Sequence, residues 1–178
     1  MSIFRASSYR SFNSIDSTQA DSRPRIHVFT LIYSVLIPLI VGSFSALLTM
    51  GDMQVYETLT RPPLSLPGWM FSVVWTVLYV LMGLASYFVW TAFANPIRKM
   101  IAMRFYVVQL LMNFLWPILF FTYSLYLLSF VWLLTMWDMI LICMVKFYRI
   151  RKVAGVFMGI VLAWTTFAAY LNCAYLIL

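Results

Sequence analysis

Long runs without a single charge alternate along this chain with short clusters of basic residues. Four uncharged stretches stand out: Val28 to Gly51, Pro62 to Ile97, Phe105 to Trp137 and Val153 to Leu178. Each exceeds the roughly 20 apolar residues that a helix needs to cross a hydrocarbon core about 30 Å thick. The third runs on past one carboxylate, Asp138, as far as Val145, about twice one span. It therefore reverses near Phe121, Thr122, Tyr123 and Ser124, where polar groups gather. The pattern predicts helices near 28–50, 68–92, 101–121, 124–147 and 153–177. The fold class is an all-α membrane protein, a five-transmembrane-helix bundle over residues 27–178. Residues 1–26, rich in Ser and Arg and poor in aliphatics, read as a mobile tail without the apolar core of a secretory signal.

Composition agrees with that reading, since 64% hydrophobic and 10% charged residues do not describe a soluble domain. Eleven of the twelve basic residues fall on alternate ends of the spans: Arg5, Arg10, Arg23 and Arg25; Arg98, Lys99 and Arg104; and Lys146, Arg149, Arg151 and Lys152. The other side holds Arg61 with Asp52 and Glu57. Because Lys and Arg are retained on the cytoplasmic side, this predicts the N-terminus on the positive, cytoplasmic-type side and the C-terminus opposite. The formal net charge of +7 is thus a topology signal, and no nucleic-acid partner is expected. A bacterial plasma membrane and a mitochondrial outer membrane both suit such a chain.

Polar groups inside the spans mark packing or function, because lipid offers them no partner. Tyr106, Gln109, Asn113, Trp116 and Phe120 are spaced by three and four residues and share one helix face, as do Trp75, Tyr79, Met82, Ser86 and Trp90. Trp164, Ala168 and Asn172 form a third stripe, beside Gly155, Gly159 and Ala163, which permit close helix approach; Gly42 and Ala46 offer them a partner surface. Gln109 and Asn113 serve equally as interhelical glue or as the lining of a cavity. Asp138 is the one full charge within a span, and a penalty of roughly 2.5 to 3.5 kcal/mol near the bilayer centre predicts a compensating partner. His27 is the only histidine, and Cys143 and Cys173 stand apart inside spans, so no metal site or His-based triad is expected. The Pro-rich segment from Tyr56 to Trp69 reads as a lid over the helix ends.

The segment from Trp69 to Tyr87, with Trp75-Thr76-Val77-Leu78-Tyr79, Met82-Gly83 and Ala85-Ser86-Tyr87, resembles the translocator protein family, also called tryptophan-rich sensory proteins or TspO. Tyr56 with Leu59-Thr60-Arg61-Pro62, the block Gln109 to Pro117 and the block Trp164 to Asn172 agree in order. The resemblance implies a five-helix bundle, often a homodimer, whose pocket binds porphyrins, haem-like tetrapyrroles and, in some members, cholesterol-like sterols. By motif position Trp75, Asn113, Trp116, Trp164, Phe167 and Ala168 would line that pocket. Tyr79, on the Trp75 stripe, joins them, and Arg61 would donate to the ligand's carboxylates. A membrane receptor or carrier for protoporphyrin IX or haem-like ligands follows, with no cofactor required. Light-dependent porphyrin breakdown, resting on Trp75 and Trp164 as redox-active rings, is the enzyme alternative, and a small transporter is the third. Leu64 replaces the family's loop tryptophan, and Ile160-Val161 replace a Pro-Tyr pair.

Overall fold

A computed structural model of the chain describes residues 27–52 and 67–177. The tail expected over 1–26, Arg61 and most of the expected lid lie outside the described residues. Five helices follow one another: α1 (Val28–Thr49), α2 (Gly68–Trp90), α3 (Pro96–Pro117), α4 (Tyr126–Ile150) and α5 (Lys152–Ile177). All five are long and apolar enough to span a membrane, and the described residues contain no strand.

Two boundaries differ from the sequence expectation for local reasons. The third helix begins at Pro96 instead of near 101, because Asn95 caps it. The Asn95 side chain accepts from the Ile97 N–H at 2.9 Å, and Pro96 sits where its missing donor costs nothing. Arg98, Lys99 and Arg104 thus belong to the first turns of α3. Lys99 turns back, its Nζ donating to the carbonyls of Trp90 (3.0 Å) and Ala92 (3.1 Å) just past α2. At the other end, Pro117 leads into a π-helical turn, Ile118–Thr122, before the chain reverses through Ser124 at φ 52°. Between α4 and α5 the joint is one extended residue, Arg151.

Around the bundle the order is α1, α2, α5, α4, α3 and back to α1, so α2 and α3, though consecutive, meet only marginally. The inward stripes are Trp75, Tyr79, Met82 and Ser86 of α2, Tyr106, Gln109, Asn113 and Trp116 of α3, Ser129 to Phe147 of α4, and Met158, Val161, Thr165, Ala168 and Asn172 of α5. Cys143 and Cys173 are free thiols.

Pro117 cannot donate to the preceding turn, and its ring pushes that turn open. The carbonyl left without its helical donor is that of Asn113, and on either side of it neighbouring helices bond to the backbone: Trp132 Nε1 donates to the Met112 carbonyl at 3.0 Å, and Ser45 Oγ donates to the Phe114 carbonyl at 2.8 Å. The same turn therefore ties α3 to both α4 and α1.

Close approach is made by glycines, in pairings that periodicity does not reveal. Gly42 packs under the Tyr79 ring of α2, and Gly155 packs against Tyr148 of α4, so the two small-residue surfaces do not meet. Gly83 brings α2 onto the backbone of α1, where a Cβ would lie 2.6 Å from Val35 Cα and 2.7 Å from the Ser34 carbonyl oxygen. Pro38, four residues on, denies that carbonyl its usual helical donor.

Asp138 departs most from expectation. The core stripe of α4 is Ser129, Leu133, Met136, Ile140, Cys143 and Phe147. Two residues before Ile140 at about 100° per residue, Asp138 points the opposite way, exposed on the outer face, and no described residue hydrogen-bonds or pairs with it.

Gly83→Ala is expected to lower stability by about 1–3 kcal/mol, since helix backbones must separate to admit the methyl. Gly159→Ala meets only Met144 Sδ at 3.5 Å and should leave stability within about 0.5 kcal/mol of wild type or above it. Thermal unfolding in detergent compares the two; equal losses would contradict the backbone contact.

Candidate functional site

The α1 C-terminus, the α2 N-terminus and the end of α3 converge at one end of the bundle, around an aromatic cluster. Trp75 and Trp116 lie nearly parallel, with centroids 6.4 Å apart and planes at 25°. Phe71 touches both, at 5.9 and 6.2 Å, and Phe121 meets Phe71 edge-on at 6.1 Å. Tyr79 flanks Trp75 at 5.9 Å, and Phe120 stacks on Trp116 at 5.2 Å. Thr122 Oγ1 donates to Asp52 Oδ2 at 2.7 Å, fastening the residues just after α1 to the π-helical turn.

Beside this cluster a cleft of about 170 Å³ runs between α1, α2 and α3. Its floor is Gly42, Ser45, Thr49, Trp75, Tyr79 and Asn113, all buried. Ser43, Ala46, Ser72 and Thr76, exposed on the facing edges of α1 and α2, border its mouth. The cleft thus opens sideways, toward the lipid. On the far side of the rings lies a void of about 20 Å³ lined by Trp116, Phe120, Ala168, Leu171 and Asn172, with room for about one water. Phe71 and Phe121 line both spaces and form the wall between them.

Residues proposed for one pocket are therefore divided. Trp75, Tyr79 and Asn113 line the cleft, while Trp116 and Ala168 line the small void behind it. Trp164 and Phe167 lie against each other, tilted by 52° with centroids 5.3 Å apart, half-buried on a flank of α5, and neither lines either space. Trp75 and Trp164 are not in ring contact with each other. Arg61 lies outside the described residues. Sequence reasoning took Gly42 and Ala46 of α1 only as a packing surface and passed over Ser45 and Thr49, although Gly42, Ser45 and Thr49 carry the same three-and-four spacing that marked α2 and α3.

The two amides of α3 have different tasks. Gln109 is fully buried, donates Nε2 to Met82 Sδ at 3.5 Å and accepts at Oε1 from Asn113 Nδ2 at 2.9 Å, so its polar groups are occupied within the bundle. Asn113 also donates Nδ2 to the Gln109 carbonyl at 2.9 Å, which leaves its Oδ1 without a partner at the cleft floor. Trp75 Nε1 and Trp116 Nε1 are likewise buried and unpaired. Buried polar groups are ordinarily satisfied, so an acceptor and a donor left unpaired on residues that line one cleft stand out from the rest of the bundle.

Fold and site together define an integral membrane helix bundle with a lipid-accessible aromatic cleft. A model of the TspO/MBR family matches residues 34–178. The chain is 31% identical over 155 residues to the tryptophan-rich protein TspO of Archaeoglobus fulgidus, covering 86% of this chain and 99% of that protein. It is 32% identical over 117 residues to that of Chlorobaculum tepidum (66% and 74%) and 30% identical over 139 residues to the translocator protein of Bos taurus (77% and 82%). The chain belongs to the TspO/MBR family.

Burial separates Trp116, behind the cleft wall, from Trp164 on the flank of α5. Trp116→Ala, emptying a fully packed position, should cost about 3–5 kcal/mol, and Trp164→Ala, on the half-buried flank, about 1–2 kcal/mol. Unfolding midpoints in detergent rank them; a larger loss at Trp164 would contradict its placement outside the core.

Proposed function

We propose that the protein is a membrane receptor or carrier whose α1–α2–α3 cleft binds tetrapyrroles such as protoporphyrin IX or haem, with sterols as a second ligand class. The observation that carries this reading is the unpaired Trp75 N–H and Asn113 carbonyl oxygen on an aromatic wall that opens to lipid. A flat amphiphile dissolved in the bilayer enters sideways, lays its ring on the aromatic face and meets the open polar atoms at the cleft floor.

Size sets a condition. Ligand pockets usually hold about 300–1,000 Å³, more than the 170 Å³ present. A planar ring sandwiched between two others also needs about 7 Å, two van der Waals contacts of about 3.5 Å, against the 6.4 Å between Trp75 and Trp116. A tetrapyrrole thus inserts one edge against Trp75, leaving the remainder between the helices at the mouth, or displaces the Phe71–Phe121 wall to join the two spaces. Both modes pass Gly42, whose missing side chain lets the Tyr79 ring lie against α1 at the cleft floor, so a side chain there would displace that ring.

The receptor reading is preferred over porphyrin breakdown because Trp75 and Trp164 stand apart. The orientation proposed is N-terminus on the cytoplasmic-type side. Arg98, Lys99 and Arg104 begin α3, while Lys146 reaches over the Phe105 ring at 4.9 Å from the last turns of α4, which gathers both cationic clusters at the end away from the cleft.

Protoporphyrin IX should quench tryptophan fluorescence saturably in wild type. Gly42→Leu and Trp75→Ala should each weaken binding at least about tenfold, or roughly 1.4 kcal/mol. Unchanged affinity in both would remove the site from the cleft, and competition by cholesterol tests the second ligand class. Under illumination, bound porphyrin should decay equally with wild type and the Trp75→Phe/Trp164→Phe double variant; slower decay in the variant would favour the enzyme reading.

A further inference from the structure

A second groove lies at the other end of the same three helices. α1 and α3 touch beside the cleft, where Ser45 Oγ donates to the Phe114 carbonyl and Phe44 stacks on Phe114 at 6.1 Å. Toward the start of α3 they part around a groove of about 570 Å³. Its inner wall includes Ser86, Tyr106 and Leu110, all buried. Tyr33 and Ile37 of α1 and Val107 and Leu111 of α3, all exposed, form its rims, so the groove opens to lipid. Among the described residues no charged side chain lines it. Its α1 wall runs from Thr30 to Val41, about 16.5 Å at helical rise, close to the roughly 15 Å of hydrocarbon in one leaflet.

The outer end of the groove has the opposite character. Trp90, Met103 and Val107 also line a recess on the outside of α3, together with Lys99 and Arg104. Trp90 closes α2 and is exposed, the usual place of a tryptophan at headgroup level. Lys99 Nζ donates to the Trp90 and Ala92 carbonyls, so its ammonium stands at that level with one of its three donors left over. Arg104 starts five residues deeper, about 7.5 Å along the helix, and its side chain runs back toward the start of α3, where Nη2 meets Met100 Sδ at 3.9 Å. That sulfur is its only described partner. The described carboxylates are elsewhere: Asp52 bonds to Thr122 at the far end, and Asp138 is on the outer face of α4. An exposed guanidinium inside a span calls for an anion, and beside this one lies an uncharged groove one leaflet long.

We propose that groove and recess together bind one acidic glycerophospholipid, with an acyl chain between α1 and α3 and the phosphate on the open donors of Lys99 and Arg104 beside Trp90. Charge complementarity selects the headgroup: a guanidinium grips two phosphate oxygens at once, and a zwitterionic headgroup brings its own cation to the same place. The site is separate from the Trp75 cleft and does not rest on the tetrapyrrole reading. In the orientation proposed above it faces the leaflet that carries anionic lipid.

Native mass spectrometry of the full chain in detergent, titrated with dioleoylphosphatidylglycerol or dioleoylphosphatidylcholine, tests this site. One phosphatidylglycerol per chain should bind at least about tenfold more tightly than phosphatidylcholine. Arg104→Gln should erase that preference, whereas Arg149→Gln, which removes an exposed cation at the same end of the bundle, should keep it. Equal affinity for the two lipids, or equal loss in both variants, overturns the site in favour of general surface charge. Val107→Trp, at the join of groove and recess, should weaken phosphatidylglycerol binding at least about tenfold, and unchanged binding overturns the place of the acyl chain. Displacement of the lipid by millimolar inorganic phosphate, or by protoporphyrin IX, overturns the lipid assignment. Both residues are exposed, so Arg104→Gln and Val107→Trp should keep the wild-type unfolding midpoint; where one does not, the other decides. Tryptophan quenching by protoporphyrin IX should be the same in Arg104→Gln and wild type, so failure of the tetrapyrrole reading and failure of this site are read separately.

Discussion

Inside a bilayer no solvent hydrogen-bonds a stray polar group, and the architecture of this protein follows from how each such group is answered. Beside Pro117 the Met112 and Phe114 carbonyls of α3 accept from Trp132 of α4 and Ser45 of α1, so three helices are fastened at that turn. Gln109 and Asn113 close on each other and on Met82, and Asn172 donates to Ser129 across α4 and α5 at 3.1 Å. Other buried groups stay unpaired among the described residues: Trp75 Nε1 and Asn113 Oδ1 belong to residues that line the cleft, Trp116 Nε1, Trp164 Nε1 and Asn172 Oδ1 lie elsewhere in the bundle, and Asp138 is exposed on the opposite outer face with no described partner.

The ring order turns these local facts into a division of labour. Placing α1 between α2 and α3, with α5 beyond α2, puts the glycine-assisted contacts at Gly42 and Gly83 on one seam. That seam is tight both where Gly83 lies on the α1 backbone and about a helical turn away, where the Tyr79 ring lies on Gly42, and the cleft opens beyond that contact. The cleft is thus the place where close packing stops, bounded by rings that stack on one another, with its entrance among Ser and Thr side chains facing lipid.

Much of this was legible in the residues. Uncharged length counted the five spans, and three-and-four spacing assigned the buried faces of α2 and α3 correctly down to Trp75, Tyr79, Gln109, Asn113 and Trp116. Periodicity, however, defines a face without naming its neighbour. It therefore could not tell that Gly42 meets Tyr79 instead of α5, that Trp116 stands behind Trp75 in place of beside it, or that Trp164 and Phe167 sit on a flank. The α3 start was missed because the run of Arg and Lys after Pro96 read as a loop, although the Asn-Pro pair is a helix-start signal. Asp138 shows the converse: its charge was plain, and only the fold reveals that no described residue answers it.

The central claim is that ligand enters at the cleft wall of Trp75, and site-resolved spectroscopy tests it without disturbing the wall. The chain has seven tryptophans, of which Trp69 and Trp90 are exposed and Trp137 donates to Thr166 on the outer face of α5. Fluorine NMR of 5-fluorotryptophan-labelled protein, titrated with protoporphyrin IX, should shift Trp75 and then Trp116 saturably while Trp69, Trp90 and Trp137 stay in place. Saturable shifts confined to Trp90 and Trp137, with Trp75 unmoved, would contradict it.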